Sequence, residues 1–312
     1  MSVSGGPILA LAALAALPGL RELARKPMTR RARTDAPGQF AELPGGLTHY
    51  DWIGPAVGPV VVCIHGLTTP SFVWTGLAAL LARQGYRVLI YDLYGRGYSD
   101  RPRGPQGAAF FTRQLRDLMD REGLHEDVAL IGYSMGGAIA TAFAAEEDHR
   151  LRRLILLAPA GMGHDLGAMA AFCTEWPLIG DWLFHMGYPG RFRRGIAAES
   201  GTPGSVKAIH ALQRAELDRR GFVRSVLASL RGILRRPMHN AHYEIARRSL
   251  PVTAIWGRED TVIPLRAMGQ LTQWNRAVHH VVLEDAGHGV PYTHTDAVAR
   301  AILGTPQETG PH

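Results

Sequence analysis

Among its 312 residues the chain has two cysteines, Cys63 and Cys173, set in stretches of different character. Two thiols cannot make the disulfide framework of a small secreted domain, and such sparing use fits a reducing, cytoplasmic setting. Lysine is scarce as well: only Lys26 and Lys207 interrupt an otherwise all-arginine set of 34 basic side chains. No His-Glu-x-x-His pattern and no Cys/His cluster at zinc spacing occurs, so no metal is expected. The strand read at 60–64 returns without a Gly-x-Gly-x-x-Gly fingerprint, so no dinucleotide or other organic cofactor is expected either. What is present is ordinary for a globular chain able to bury a core, with 46% hydrophobic and 20% charged residues.

The formal charge is +7, from 34 basic against 27 acidic side chains. Six of the basic residues lie between Arg21 and Arg33, opposed there by Glu22 alone, so the excess sits in a tail and the body is nearly balanced. Nucleic-acid binding calls for a basic stripe with a reading element, and none is recognisable. Upstream, Ile8 to Leu17 is apolar and is followed by Pro18, Gly19 and the basic run. Ten apolar residues fall short of the roughly twenty that span a bilayer. The charge follows the apolar stretch instead of preceding it, which argues against a signal peptide. Beside secretion, which this order of charge disfavours, two arrangements remain: residues 1–33 lie on an anionic membrane surface, such as the inner face, or an alanine-rich helix packs on the body.

Short β-branched runs at Val60–Ile64, Val88–Tyr91, Val128–Ile131, Leu154–Leu157, Val252–Trp256 and His279–Leu283 read as strands buried on both faces. Helical stretches at Val73–Gln84, Phe110–Glu122, Met135–Glu147, Leu265–Trp274 and Thr295–Leu303 alternate with them, which predicts an α/β fold with a mostly parallel sheet. Leu47 to Ile53 opens it with antiparallel strands. The alternation fails between Met162 and Arg248, an interval too long for a loop and helical around 166–172, 205–220 and 222–234. The expected organisation is an N-terminal segment over 1–46, a core over 47–161 and 249–304, a helical cap over 162–248 and a tail over 305–312. The cap's aromatic cluster, which includes Trp176, Trp182, Phe184, Tyr188 and Phe192, either lines an acyl pocket or glues the cap to the body.

Gly132-Tyr133-Ser134-Met135-Gly136 follows one predicted strand and opens a helix, the setting of a nucleophile elbow. Ser134 at such a turn stands at the positive end of a helix, where developing negative charge is stabilised. His65-Gly66-Leu67 closes the strand at 60–64, and the backbone N–H groups of Leu67 and Met135 are the expected oxyanion-hole donors. His65 itself reads as a residue that hydrogen-bonds the loop beneath the site. Asp260 lies just beyond the strand at 252–256, with Glu259 as its nearest rival, and His288 lies on a glycine-flanked loop beyond the strand at 279–283. Serine, acid and histidine follow in that order.

Together with the segment Asp92-Leu93-Tyr94-Gly95-Arg96-Gly97-Tyr98-Ser99-Asp100, these motifs resemble the α/β-hydrolase superfamily over about residues 47–303. Within it the chain is similar to bacterial carboxylesterases and monoacylglycerol lipases. The resemblance implies a serine hydrolase acting on a small-molecule carboxylic ester through an acyl-enzyme, with Ser134, His288 and Asp260 as its triad. Hydrolysis of activated carbon–carbon bonds is the alternative, and a non-catalytic binding protein is the third reading, against which the complete triad argues.

Overall fold

The computed structural model describes residues 6–163, 167–199 and 201–304. Among these residues eight strands form one sheet: β1 (Gln39–Leu43), β2 (Gly46–Ile53), β3 (Val60–Ile64), β4 (Arg87–Tyr91), β5 (Val128–Tyr133), β6 (Leu151–Leu157), β7 (Val252–Gly257) and β8 (His279–Leu283). Their order is β1-β2-β4-β3-β5-β6-β7-β8. The first two strands and the β2–β4 pair are antiparallel; every later pairing is parallel. The chain runs outward from β3 to β4 and then back past β3 to β5, so the strand order reverses between β3 and β5. In open α/β sheets such a reversal leaves a crevice at the carboxyl ends of the strands.

Among the described residues twelve α-helices accompany the sheet, beginning with α1 (Gly6–Ala24), α2 (Thr75–Arg83), α3 (Ala108–Arg121) and α4 (Met135–Glu146). The central strands alternate their side chains between two dry layers. Val62, Ile64, Leu130 and Leu154 face α3 and α4, while Val61, Cys63, Ile131 and Ile155 pack with Leu77 and Leu81 of α2. This double burial is why the strands read as continuous apolar runs.

After β6 come α5 (Ala168–Glu175), α6 (Ile179–Glu199), α7 (Ile209–Glu216) and α8 (Phe222–Arg231), with a core of their own built from Phe184, Leu217, Phe222, Val226 and Leu227. The next helix, α9 (His239–Arg247), falls inside the interval expected to be cap but belongs to the main body. It packs on α4 and on α10 (Arg266–Trp274), with Ile245 wholly buried in the main core and His242 stacked on Trp274. It is the crossover helix between the parallel strands β6 and β7, which need such a connection. α11 (Val290–Thr293) and α12 (Thr295–Gly304) close the second layer. The expected tail over 305–312, with residues 1–5 and the Leu166 start of the first cap helix, lies outside the described residues.

Two boundaries differ at the amino end. The sheet opens at Gln39, within the stretch assigned to the N-terminal segment, and α1 runs through Pro18 to Ala24. Proline inside a helix strands the carbonyl four residues back. Here that carbonyl is Leu14 O, and it accepts the indole N–H of Trp182 on α6 at 2.9 Å. The helix therefore continues because the cap supplies the missing donor. At 19 residues and a mean hydropathy of 1.5, α1 is long and apolar enough to cross a membrane by length and composition.

Candidate functional site

The three predicted residues meet at the carboxyl end of the sheet. Ser134 is the hinge between β5 and α4, held at φ 53° and ψ −119°, a conformation rarely used by a residue with a Cβ. Its carbonyl takes N–H bonds from Gly137 at 2.8 Å and Ala160 at 2.9 Å, and its own N–H goes to Leu157 O at 2.9 Å. The elbow is built of near-contacts: a methyl group on Gly136 would come within 2.0 Å of Ile64 O, and one on Gly132 within 2.4 Å of Gly136 O. Gly136→Ala is accordingly expected to lose about 3 kcal/mol or more of stability, since the clash is with backbone that cannot rotate away. Chemical denaturation against wild type measures it, and an unchanged midpoint would show that the turn is looser than this geometry.

His288 Nε2 lies 2.9 Å from Ser134 Oγ, and His288 Nδ1 lies 2.7 Å from Asp260 Oδ2. The other oxygen of Asp260, Oδ1, accepts the backbone N–H groups of Val262 and Ile263, each at 2.8 Å. The carboxylate is buried and fixed from both sides, whereas its rival Glu259 is exposed. The loops carrying the acid and the histidine can approach because Gly257 ends β7: a Cβ there would sit 2.3 Å from Ala286 O. Gly66 lies against the nucleophile, its Cβ position 3.3 Å from Ser134 Cβ, so Leu67 follows directly at the rim of the site. Met135 opens α4, where the first N–H groups of a helix point outward along its axis. A serine, an imidazole and a buried carboxylate so aligned can move the serine proton to the imidazole.

His65 stands below this loop, fully buried, with Nδ1 donating to Gly66 O at 2.7 Å and Nε2 accepting Leu93 N–H at 2.9 Å. Burial lowers its pKa to about 4, so it is a neutral strut. The segment from Asp92 to Asp100 has roles that the sequence reading left unassigned. Burial alone would raise the Asp92 carboxyl, but His49 and the Tyr98 N–H hold it down at about 2, and its other oxygen accepts the Ser71 N–H. Arg96, also fully buried, directs its donors to Leu67 O, Tyr94 O, Gln106 Oε1, Ser225 O and Ser229 Oγ. It thereby ties the loop of Leu67 to cap helix α8. Burial lowers its pKa to about 9, leaving it charged at neutral pH.

A cavity of about 350 Å³ opens beside Ser134 and His288, walled by Leu67, Phe192, Ile196, Leu230, Leu234 and Ile263, with Glu199, Gln213 and Tyr292 among its polar lining. Of the cap aromatics singled out in the sequence, Phe192 alone reaches it. Phe184, Tyr188 and Phe192 stack along α6 in the cap core, while Phe172 and Trp176 face outward. Composition marked the aromatics but not which side of α6 each occupies. Among the described residues no group of three or more His, Cys, Asp or Glu side chains could hold a metal ion.

A pimeloyl-[acyl-carrier protein] methyl ester esterase of Aeromonas salmonicida is 28% identical over 247 residues, 76% of this chain and 91% of that protein. A 2-hydroxymuconate semialdehyde hydrolase of Pseudomonas putida is 28% identical over 252 residues, 73% and 79% of the two chains. Uncharacterized mycobacterial proteins also match at 28% identity, and there the chain spans 64% of the relatives' length. In three dimensions, an esterase of Exiguobacterium antarcticum superimposes with a TM-score of 0.71 at 19% identity, covering 86% of this chain and 98% of that one. Residues 59–295 match the family described as alpha/beta hydrolase fold, and the chain belongs to that family.

Proposed function

We propose that this hydrolase cleaves neutral carboxylic esters through an acyl-enzyme on Ser134. One observation carries the reading: the Asp260–His288–Ser134 line opens on a cavity in whose described lining there is no arginine or lysine. His288 takes the proton of Ser134 Oγ as that oxygen attacks the ester carbonyl carbon, and Asp260 stabilises the imidazolium. The carbonyl electron pair moves onto its oxygen, which the N–H groups of Leu67 and Met135 receive; each such donor contributes about 10²–10³ in rate. Collapse expels the alcohol with the proton from His288. Water, deprotonated by His288, then attacks the acyl carbon, and Ser134 leaves carrying that proton. Ester and water become acid and alcohol, and the steps require no metal or organic cofactor.

The lining also bears on the carbon–carbon alternative. The Pseudomonas relative is named for a muconate, a carboxylate-bearing compound. In this cavity a carboxylate would meet Glu199 with no cation among the described lining residues to balance it. At about 350 Å³ the space is near the lower end of ligand pockets, roughly 300 Å³ upward, which favours a small ester.

The test is a series of p-nitrophenyl esters of graded acyl length, with p-nitrophenyl butyrate compared against p-nitrophenyl hemisuccinate. The neutral ester is expected to have a kcat/KM at least tenfold higher, and Glu199→Gln is expected to narrow the gap. Equal or better use of the anionic ester would turn the assignment toward carboxylate-bearing substrates.

A further inference from the structure

We infer that the N-terminal helix and one corner of the cap form a single apolar face that docks on an anionic bilayer, with α1 lying in the membrane plane. The proposal extends the surface beyond residues 1–33 and is independent of which ester the site cleaves.

The helix offers the first half of the face. No residue of α1 is buried, and Ile8, Leu9, Leu11, Leu14, Leu20 and Leu23 are all exposed. A soluble body seldom leaves that much contiguous apolar surface uncovered. The cap offers the second half: Met169 and Phe172 on α5, and Trp176, Leu178 and Ile179 where α5 gives way to α6, are exposed too. Leu178 is 84% exposed and held at φ 65°, so the chain bears a left-handed leucine and its hydration together. The halves are contiguous, because Leu11, Leu14 and Pro18 share one apolar groove with Leu178, Ile179 and Trp182.

Orientation follows from how α1 is held. The Trp182 bond to Leu14 O fastens its middle to α6. Its exit is fastened by Lys26, whose N–H goes to Asp218 O at 2.8 Å and whose carbonyl accepts Arg220 N–H at 2.9 Å. Glu22, near the carboxyl end of α1, lines the same groove, a carboxylate that a crossing helix would carry toward hydrocarbon. Strapped along the cap, α1 suits the boundary between headgroups and acyl chains.

Charge selects the occupant. Arg21, Lys26 and Arg193 gather in the neighbouring hollow at the edge of the apolar face, and Arg30, Arg31, Arg191 and Arg194 are exposed as well. An apolar centre with an arginine rim matches acyl chains beneath anionic headgroups. Not every cation of the basic run is free: Arg25 pairs with Glu22, and Arg33 binds Asp100 and Tyr98 O, so Arg33 anchors the segment to the body. The helix that presents Ile179 and Trp182 to this face lines the active cavity further on with Phe192 and Ile196. An amphiphilic ester held in the bilayer would thus approach the site along α6.

Sedimentation with phosphatidylcholine vesicles containing 30% phosphatidylglycerol tests the proposal, using the full chain, a Trp176→Glu/Leu178→Glu/Ile179→Glu variant and a Leu178→Glu variant. Wild type should bind, and 0.5 M salt or purely zwitterionic vesicles should weaken it severalfold. The triple variant should bind at least tenfold more weakly although α1 is intact, and the single variant should move the same way should the triple one misfold. Turnover of a soluble short-chain ester should stay unchanged in the folded variants, which separates this result from the hydrolase assignment. Wild-type binding by the cap variants would overturn the composite face and leave α1 as sole anchor. A wild type that ignores vesicles but forms a dimer lost in these variants would overturn the membrane as occupant and make the face a contact between copies.

Discussion

The Ser134→Ala protein is expected to lose ester turnover by roughly 10⁴- to 10⁶-fold, with its folded state intact. The size of the loss follows from what remains. The backbone donors proposed at Leu67 and Met135 are untouched by the substitution, but His288 Nε2, which sits 2.9 Å from Oγ, then has no hydroxyl to deprotonate. The fold should survive because alanine keeps the Cβ that the elbow already accommodates at φ 53°, and the missing oxygen borders an open cavity instead of a packed core. Two measurements separate nucleophile from bystander. Steady-state hydrolysis of p-nitrophenyl butyrate should vanish, and a fluorophosphonate should label wild type at Ser134 but leave the variant unlabelled. Turnover within tenfold of wild type would remove Ser134 from the mechanism.

How much of this was open to sequence reading depends on how local each feature is. The elbow, the acid and the histidine each sit a few residues beyond a short apolar strand, so strand ends alone brought Ser134, Asp260 and His288 to one edge of the sheet. His65 has the role expected of it, hydrogen-bonding the loop beneath the site. Features resting on distant partners escaped. β1 was missed because only Ala41 of its five residues is buried, which leaves no apolar run to notice. α9 was read as cap because nothing in His239–Arg247 announces that Ile245 will meet α4.

Pro18 looked like an end to α1, and by helix propensity it should have been. Its remedy is an indole 168 positions along the chain from the Leu14 carbonyl that Pro18 leaves without a donor. Arg96 is the clearest loss. Its motif was quoted, yet an arginine between two glycines reads as a surface loop until Ser225, Ser229 and Gln106 close around it. An amphipathic pattern can say that a helix has a buried face, but which other element covers it is a property of the whole chain.

The second large effect is expected at the acid. Asp260→Asn should lower kcat by about 10⁴-fold, while Glu259→Gln should leave it within twofold. The reason lies in the two oxygens. Oδ1 accepts the N–H groups of Val262 and Ile263, so an asparagine must keep its carbonyl oxygen there or set its own N–H₂ against two donors. Its amide nitrogen then faces His288 at the position of Oδ2, 2.7 Å from Nδ1. An N–H₂ group donates, so Nδ1 must become the acceptor and the ring proton must move to Nε2. That nitrogen faces Ser134 Oγ, and once protonated it cannot take the serine proton. The geometry is preserved and the base is lost, so substrate binding should change far less than kcat. Glu259 is exposed and outside this line, so removing its charge should not alter the tautomer. Steady-state kinetics on a soluble ester, with proton NMR of the His288 ring to report which nitrogen is protonated, checks both halves. A nearly silent Asp260→Asn beside a damaging Glu259→Gln would transfer the role of acid to Glu259.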